Sequence, residues 1–177
     1  MKNSLFLFLV TVVLISCGEN KKKNQPEIKT VETVVEIHKP AELQAEFKDS
    51  LIGETYKNYN VLKSALVNSD VEKTQIAARH LEESLKRFEY SEALKQMAEK
   101  IASVSDLETQ REVFQYLTEE MTKLVEGNLK SGNLYVQYCP MAFQGKGAYW
   151  LSNGKEIRNP YFGDRMLKCG EVKRVIE

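Results

Sequence analysis

The chain has 177 residues, of which 42% are hydrophobic and 28% charged, and its 25 basic residues balance its 25 acidic residues. This composition is typical of a folded domain and excludes collagen-like, wholly disordered and disulfide-dense chains. A net charge of zero argues against a protein that binds nucleic acid through a broad basic surface. The length is sufficient for one domain with a sizeable core.

The first 17 residues have the pattern of an export signal. Lys2 precedes an apolar run over residues 5–15, which is too short for a membrane-spanning helix. The sequence Leu14-Ile15-Ser16-Cys17 resembles the lipobox of bacterial lipoproteins, in which the cysteine is lipidated and becomes the first residue. We therefore expect residues 1–16 to be a signal peptide and Cys17 to carry acyl chains, and more than one chain gives stable attachment.

Residues 17–39 predict a flexible tether behind this anchor. They are polar, include the run Lys21-Lys22-Lys23, and contain too few apolar residues to fold alone. The lysine run favours a solvated linker over contact with anionic head groups. Gly18 is not the acidic residue that indicates inner-membrane retention in well-studied lipoproteins, so by resemblance we expect the outer membrane, with the domain facing the periplasm.

Residues 40–130 predict four amphipathic helices joined by short turns, which is the pattern of an up-down four-helix bundle and of a mainly α protein. Pro40 suits the start of a first helix of about 25 residues. Ser69 with Glu72, and Ser105 with Glu108, have the spacing of capping boxes for the second and fourth helices. The predicted core positions are Leu43, Phe47, Leu51, Tyr59, Leu62, Leu66, Ile76, Ala77, Leu81, Leu85, Phe88, Leu94, Met97, Ile101, Val104, Leu107, Phe114, Leu117, Met121 and Leu124.

Residues 131–177 differ in composition, since six of the nine glycines lie between residues 131 and 170. Residues 148–152 and 155–158 flank Asn153-Gly154, which predicts a β-hairpin with a type I′ turn. A lone hairpin is marginal in water, so we expect this region to be a small β-hairpin and loop subdomain packed on the helices of the same domain.

The same region contains two sulfur-bearing segments, Cys139-Pro140-Met141 and Met166-Leu167-Lys168-Cys169. Thiolate and thioether are soft donors that suit Cu(I) much better than Mg²⁺ or Ca²⁺. A spacing of three places Met166 and Cys169 on one side of a helical turn. If the two segments meet, these four side chains form a candidate Cu(I) site.

A disulfide between Cys139 and Cys169 is the alternative for the same two thiols. With Cys17 acylated, they are the remaining pair in an exported, oxidising compartment. The bond would close a loop of roughly 30 residues, worth roughly 3.7 kcal/mol in the chain-entropy description. Met141 and Met166 would then be packing residues. The sequence leaves both interpretations open.

The C-terminal motifs resemble an uncharacterised bacterial domain family. This family occurs as stand-alone exported lipoproteins and fused to periplasmic adaptor (membrane-fusion) subunits of heavy-metal and copper efflux systems. The resemblance runs from about Ala41 to the end and implies a helical periplasmic domain that handles copper or another soft metal. Cys139-Pro140-Met141 also resembles the start of the Cys-Pro-Met-His motif of small heavy-metal-binding domains, with Ala142 in place of the histidine. The other resembling segments are Gly147–Ser152, Ile157–Gly163 and Met166–Gly170.

These observations predict an envelope lipoprotein that binds Cu(I) and contacts a heavy-metal efflux adaptor. The alternative function is a disulfide-stapled helical module that docks on an envelope partner. We do not expect an enzyme, because the sequence offers no acid–base pair, cofactor loop or open metal site. Of the two histidines, His38 lies in the tether, and His80 in the second helix is interpreted as a boundary residue and not as a ligand.

Overall fold

A computed structural model of the protein describes residues 37–87 and 92–177. The predicted signal peptide, Cys17, most of the predicted tether, and the predicted core position Phe88 lie outside these residues. The described part consists of four long helices and two small antiparallel sheets. None of the helices in this part is long and apolar enough to cross a membrane.

The four predicted helices are present. They are α1 (Ser50–Val67), α2 (Val71–Leu85), α3 (Glu92–Ser103) and α4 (Leu107–Val125). Each helix packs against the next one in the chain, and α1 also contacts α4. Their inward positions are largely those that the helical spacing predicts, although Ile76 of α2 is 42% exposed.

The helix starts differ from the prediction. Helix α1 begins at Ser50 and not at Pro40, because the side chain of Asp49 caps it by accepting a hydrogen bond from the backbone N–H of Leu51 (2.8 Å). The predicted serine caps of α2 and α4 are each wrong by one residue. Asp70 and Asp106 take these positions, and their carboxylates also match the positive end of the helix dipole.

The strands form a two-stranded and a three-stranded antiparallel sheet. Strand β1 (Glu46–Phe47) pairs with β2 (Leu129–Ser131), which joins the chain before α1 to the chain after α4. In the other sheet β3 (Leu134–Cys139) is central, between β4 (Ala148–Ser152) and β5 (Glu171–Ile176).

The hairpin predicted around Asn153-Gly154 is wrong, because β4 pairs with a different strand. Strand β4 pairs with β3, and residues 155–158 form no strand. Neither Asn153 nor Gly154 has the positive φ that a type I′ turn requires. Instead the side chain of Asn153 accepts a hydrogen bond from the Tyr56 hydroxyl (2.9 Å), and the side-chain amide of Gln137 donates to the carbonyl oxygens of Gly154 (2.9 Å) and Glu156 (3.1 Å).

One aromatic cluster connects the helices to the C-terminal sheet. The ring of Tyr59 stacks on Phe114 (5.3 Å between centroids), Phe114 contacts Tyr161 (6.0 Å), and Tyr161 meets Trp150 edge-on (6.0 Å). All four side chains are almost fully buried. The C-terminal region therefore shares its hydrophobic core with the helices.

The predicted tether ends earlier than residue 39. His38 is 7% exposed, and its Nε2 lies 2.6 Å from an Asp164 carboxylate oxygen. Its backbone N–H donates to the side-chain oxygen of Asn68 (2.8 Å), and its carbonyl accepts from the side-chain amide of the same residue (3.0 Å). The chain is thus held on the domain from His38 onward.

Candidate thiol site

The fold brings the two sulfur-bearing segments together. Cys139 is the last residue of β3, and Cys169 follows a short 3₁₀ turn (Gly163–Met166) that leads into β5. Their Sγ atoms lie 3.1 Å apart, and both thiols are free. This separation is well beyond the ~2.05 Å of a disulfide bond.

Gly170 allows the second segment to reach this position. Its φ is +145°, and a Cβ there would lie 2.8 Å from Cη2 of Trp150 and 2.9 Å from the carbonyl oxygen of Tyr138. A larger residue would therefore collide with β3 and β4. The side-chain amide of Asn159 also holds this segment by donating to the carbonyl oxygen of Cys169 (2.8 Å).

The first segment lies on a turn with unusual backbone geometry. Phe143 (φ +50°) and Gln144 (φ +60°) adopt the left-handed conformation in succession between β3 and β4. Such conformations cost non-glycine residues about 1–3 kcal/mol each and persist only where the surroundings enforce them. The ring of Phe143 packs edge-on against Tyr161 (5.4 Å), which fixes the turn that carries Met141.

The four sulfur residues form a gradient from the core to the surface. Cys139 is fully buried, Cys169 is partly buried, Met166 is 36% exposed and Met141 is 54% exposed. The backbone N–H of Cys169 donates to the carbonyl oxygen of Met166 (3.0 Å), which keeps these two residues on one turn. A soft ligand arriving from solvent would meet the thioethers before the thiols.

Contact with Cys139 changes the pKa of the Cys169 thiol. The hydrogen bond with Cys139 is the main cause that raises the pKa of Cys169, with burial and the proximity of a second ionisable thiol adding to it. A hydrogen bond from the backbone of Met141 acts in the opposite direction. A metal that binds here must displace these protons, because the thiolate is the ligand.

The sulfur side chains on these two segments are of the type that soft monovalent metals prefer. Among residues 37–87 and 92–177, no three His, Cys, Asp or Glu side chains cluster as metal ligands. A metal at this corner would therefore rely on the pair Cys139 and Cys169, with Met141 and Met166 as the remaining donors. Thiols and thioethers without carboxylate or imidazole suit Cu(I).

The sequence reasoning missed a second polar site around Lys63. This lysine is 4% exposed, and its Nζ donates to the carbonyl oxygen of Leu151 (3.2 Å). A signal was present in the sequence, since Lys63 lies four residues after Tyr59 and three before Leu66, on the buried stripe of α1. His80, by contrast, is exposed on α2.

The described residues thus form a helical domain with two small antiparallel sheets and a close pair of free thiols. Residues 55–132 match the model of the family described as "Protein of unknown function (DUF3347)". This match confirms the predicted resemblance to an uncharacterised domain family. The matched range covers most of α1 through β2 and ends before β3, so both cysteines lie outside it. No curated protein and no solved structure matches the chain.

Proposed function

We propose that this protein is a lipid-anchored envelope protein that binds Cu(I) through Cys139 and Cys169, with Met141 and Met166 as further donors. The observation that carries the proposal is the pair of free thiols 3.1 Å apart. Two exposed thioethers on the same two segments support it. In this proposal Cu(I) is a metal that the protein carries and hands on.

The lipid anchor and the partner belong to the same proposal. Cys17 ends a lipobox-like sequence, which supports a lipid anchor, and Gly18 after it supports the outer membrane with the domain facing the periplasm. The partner is the periplasmic adaptor of a heavy-metal efflux system, to which the domain hands its copper. This part is supported by the resemblance of the C-terminal motifs.

The arrangement of the elements is proposed as an up-down four-helix bundle with a C-terminal β subdomain packed on it. Contacts between successive helices, and between α1 and α4, support the bundle. Contacts between α4 and β4, together with the shared aromatic cluster, support the packing of the β subdomain. In this arrangement the helices provide the platform that holds the turn after β3 and the turn before β5.

A competition titration tests the metal site. Reduced protein lacking residues 1–17 is titrated with Cu(I) against a chromogenic chelator, and we expect one Cu(I) per chain. Replacing both Cys139 and Cys169 by Ser should weaken binding at least 100-fold, since the remaining thioethers are weaker donors. Met141→Leu together with Met166→Leu should weaken it about 10-fold, whereas Met97→Leu on α3 should not. Unchanged affinity in the double-serine variant would rule the site out.

The same short distance between the thiols favours one alternative, a disulfide-stapled module that docks on an envelope partner. Two thiols in contact need little movement to form a bond in an oxidising compartment. To test this alternative, the protein is purified from the envelope without reductant, its free thiols are alkylated, and its intact mass is measured. Two alkylated thiols support the copper function, whereas a chain that accepts alkyl groups at these positions only after reduction supports the stapled module.

A further inference from the structure

A small cavity of about 20 Å³ lies beside Lys63, where α1 meets the end of β4 and the first residues of the domain. None of the four sulfur residues lines it. The polar and charged residues that do line it are His38, Lys63, Ser64, Ser152, Glu156 and Arg158. A cavity needs about 10–15 Å³ to hold a water molecule, so this one has room for a single small ion.

Lys63 is an unmatched positive charge in this cavity. Its ammonium group makes one hydrogen bond, to the carbonyl oxygen of Leu151, and within the described residues no carboxylate forms an ion pair with it. Two of its three protons therefore have no acceptor among the described residues. Burying an ammonium group in this way is costly unless a counter-charge is supplied.

The two neighbouring carboxylates each pair with a group other than Lys63. Glu156 pairs with Arg158 (3.1 Å), and Asp164 pairs with Nε2 of His38 (2.6 Å). The charge of Arg158 adds to burial in lowering the pKa of Lys63 to about 7. With both carboxylates paired, the charge of the Lys63 ammonium group is left unbalanced among the groups that line the cavity.

Two serine hydroxyl groups also line the cavity. The hydroxyl oxygen of Ser152 accepts from the backbone N–H of Gly154 (3.5 Å), which leaves its own proton available to donate. The hydroxyl of Ser64 donates to the carbonyl oxygen of His38 (3.3 Å) and is already used. Lys63, Ser152 and the guanidinium of Arg158 therefore offer donors and positive charge to the same small space.

We propose that this cavity binds one small monovalent anion of the size of chloride, held by the ammonium group of Lys63 together with Arg158 and the hydroxyl of Ser152. The anion supplies the counter-charge that the fold lacks, and the cavity has room for an ion of this size. Because the site ties α1 to the end of β4 and to the segment around His38, occupancy stabilises the folded domain. This site is independent of the thiol pair.

Chloride is the probe for this proposal. Protein lacking residues 1–17 is unfolded thermally at pH 6, where Lys63 is charged, while sodium gluconate is replaced by sodium chloride at constant ionic strength. We expect the midpoint temperature to rise by several degrees as chloride replaces gluconate. Lys63→Met should abolish the rise, whereas the matched control Lys57→Met, at an exposed position of α1, should retain it.

A second measurement does not depend on the variant folding. The ³⁵Cl NMR line of chloride should be broadened by the wild-type protein at pH 6, and the broadening should fall at least fivefold by pH 9 as the ammonium loses its proton. An equal chloride response in wild type and Lys63→Met overturns the proposal. The absence of ³⁵Cl line broadening by the wild-type protein at pH 6 also overturns it. So does a broadening that is as large at pH 9 as at pH 6.

Discussion

Lys63 makes the stability of the domain depend on pH in the direction opposite to that of a lysine paired with a carboxylate. Its pKa is about 7 in the folded protein, mainly because burial disfavours the ammonium form, against 10.5 in an exposed lysine. Between these values the unfolded chain binds more protons than the folded chain. The free energy of unfolding therefore rises with pH across this window.

We expect Lys63→Met to remove that rise. In chloride-free buffer, the wild-type free energy of unfolding should increase by about 3 kcal/mol from pH 7 to pH 9.5, relative to the variant, because each pKa unit corresponds to about 1.4 kcal/mol. Urea unfolding at a series of pH values measures it, with Lys57→Met as the control that keeps the wild-type slope. Parallel curves for wild type and Lys63→Met would show that Lys63 keeps its proton in the folded protein across this pH range.

The residue scale also shows how far the sequence could predict the two sites. Cys139 and Cys169 attracted attention because each lies within three residues of a methionine, and their approach in space follows from the pairing of β3 with β5. The pairing itself has no local signal in the sequence. Lys63 was missed because a lysine on an apolar stripe is normally read as a boundary residue that extends its amine to solvent.

At the scale of elements, Tyr59 joins a helix to two neighbours through its hydroxyl group. The oxygen accepts a hydrogen bond from the backbone N–H of Leu151 on β4 (3.0 Å) and lies 2.9 Å from the hydroxyl of Thr118 on α4. All of these groups are buried. Burial raises the pKa of Tyr59, so the group stays protonated over the working range of pH.

Tyr59→Phe should destabilise the domain by about 1–3 kcal/mol. The ring and its stacking on Phe114 remain, but the N–H of Leu151 loses its partner in a place that water does not reach. Chemical unfolding measures the loss, and Tyr116→Phe, at an exposed position of α4, provides the control with no expected change. Equal stability of the two variants would mean that the hydroxyl contributes nothing.

Helix interiors were predictable from the sequence, whereas element ends and strand partners were not. The spacing of apolar residues gives the buried face of a helix, because one face must meet the core. The start of α1 depends on one carboxylate, that of Asp49, accepting one backbone N–H, and serine and aspartate compete for such positions. The partner of β4 depends on Gln137 and Asn153, whose side-chain hydrogen bonds hold the loop after β4 out of the sheet.

At the scale of the whole molecule, the helices and the C-terminal sheet depend on one another. Arg111 of α4 is 1% exposed and donates to the carbonyl oxygen of Pro160 (2.9 Å), to the hydroxyl of Ser69 (3.0 Å) and to Glu108 (3.1 Å). It thereby joins the loop before the 3₁₀ turn to the turn between α1 and α2. The family match ends at residue 132, inside this shared structure.

The segment 37–132 should therefore fail to fold cooperatively by itself. Without residues 133–177, Tyr59 loses the N–H of Leu151, Arg111 loses the carbonyl of Pro160, and the aromatic face around Phe114 loses its cover from Trp150 and Tyr161. We expect this fragment to retain helical circular dichroism but to lose the near-ultraviolet signal and the sharp thermal transition that residues 37–177 show. A sharp transition in the fragment would instead make the helices an autonomous unit. The helices would then fold without the two sulfur-bearing segments, and the three-stranded sheet alone would hold these segments together.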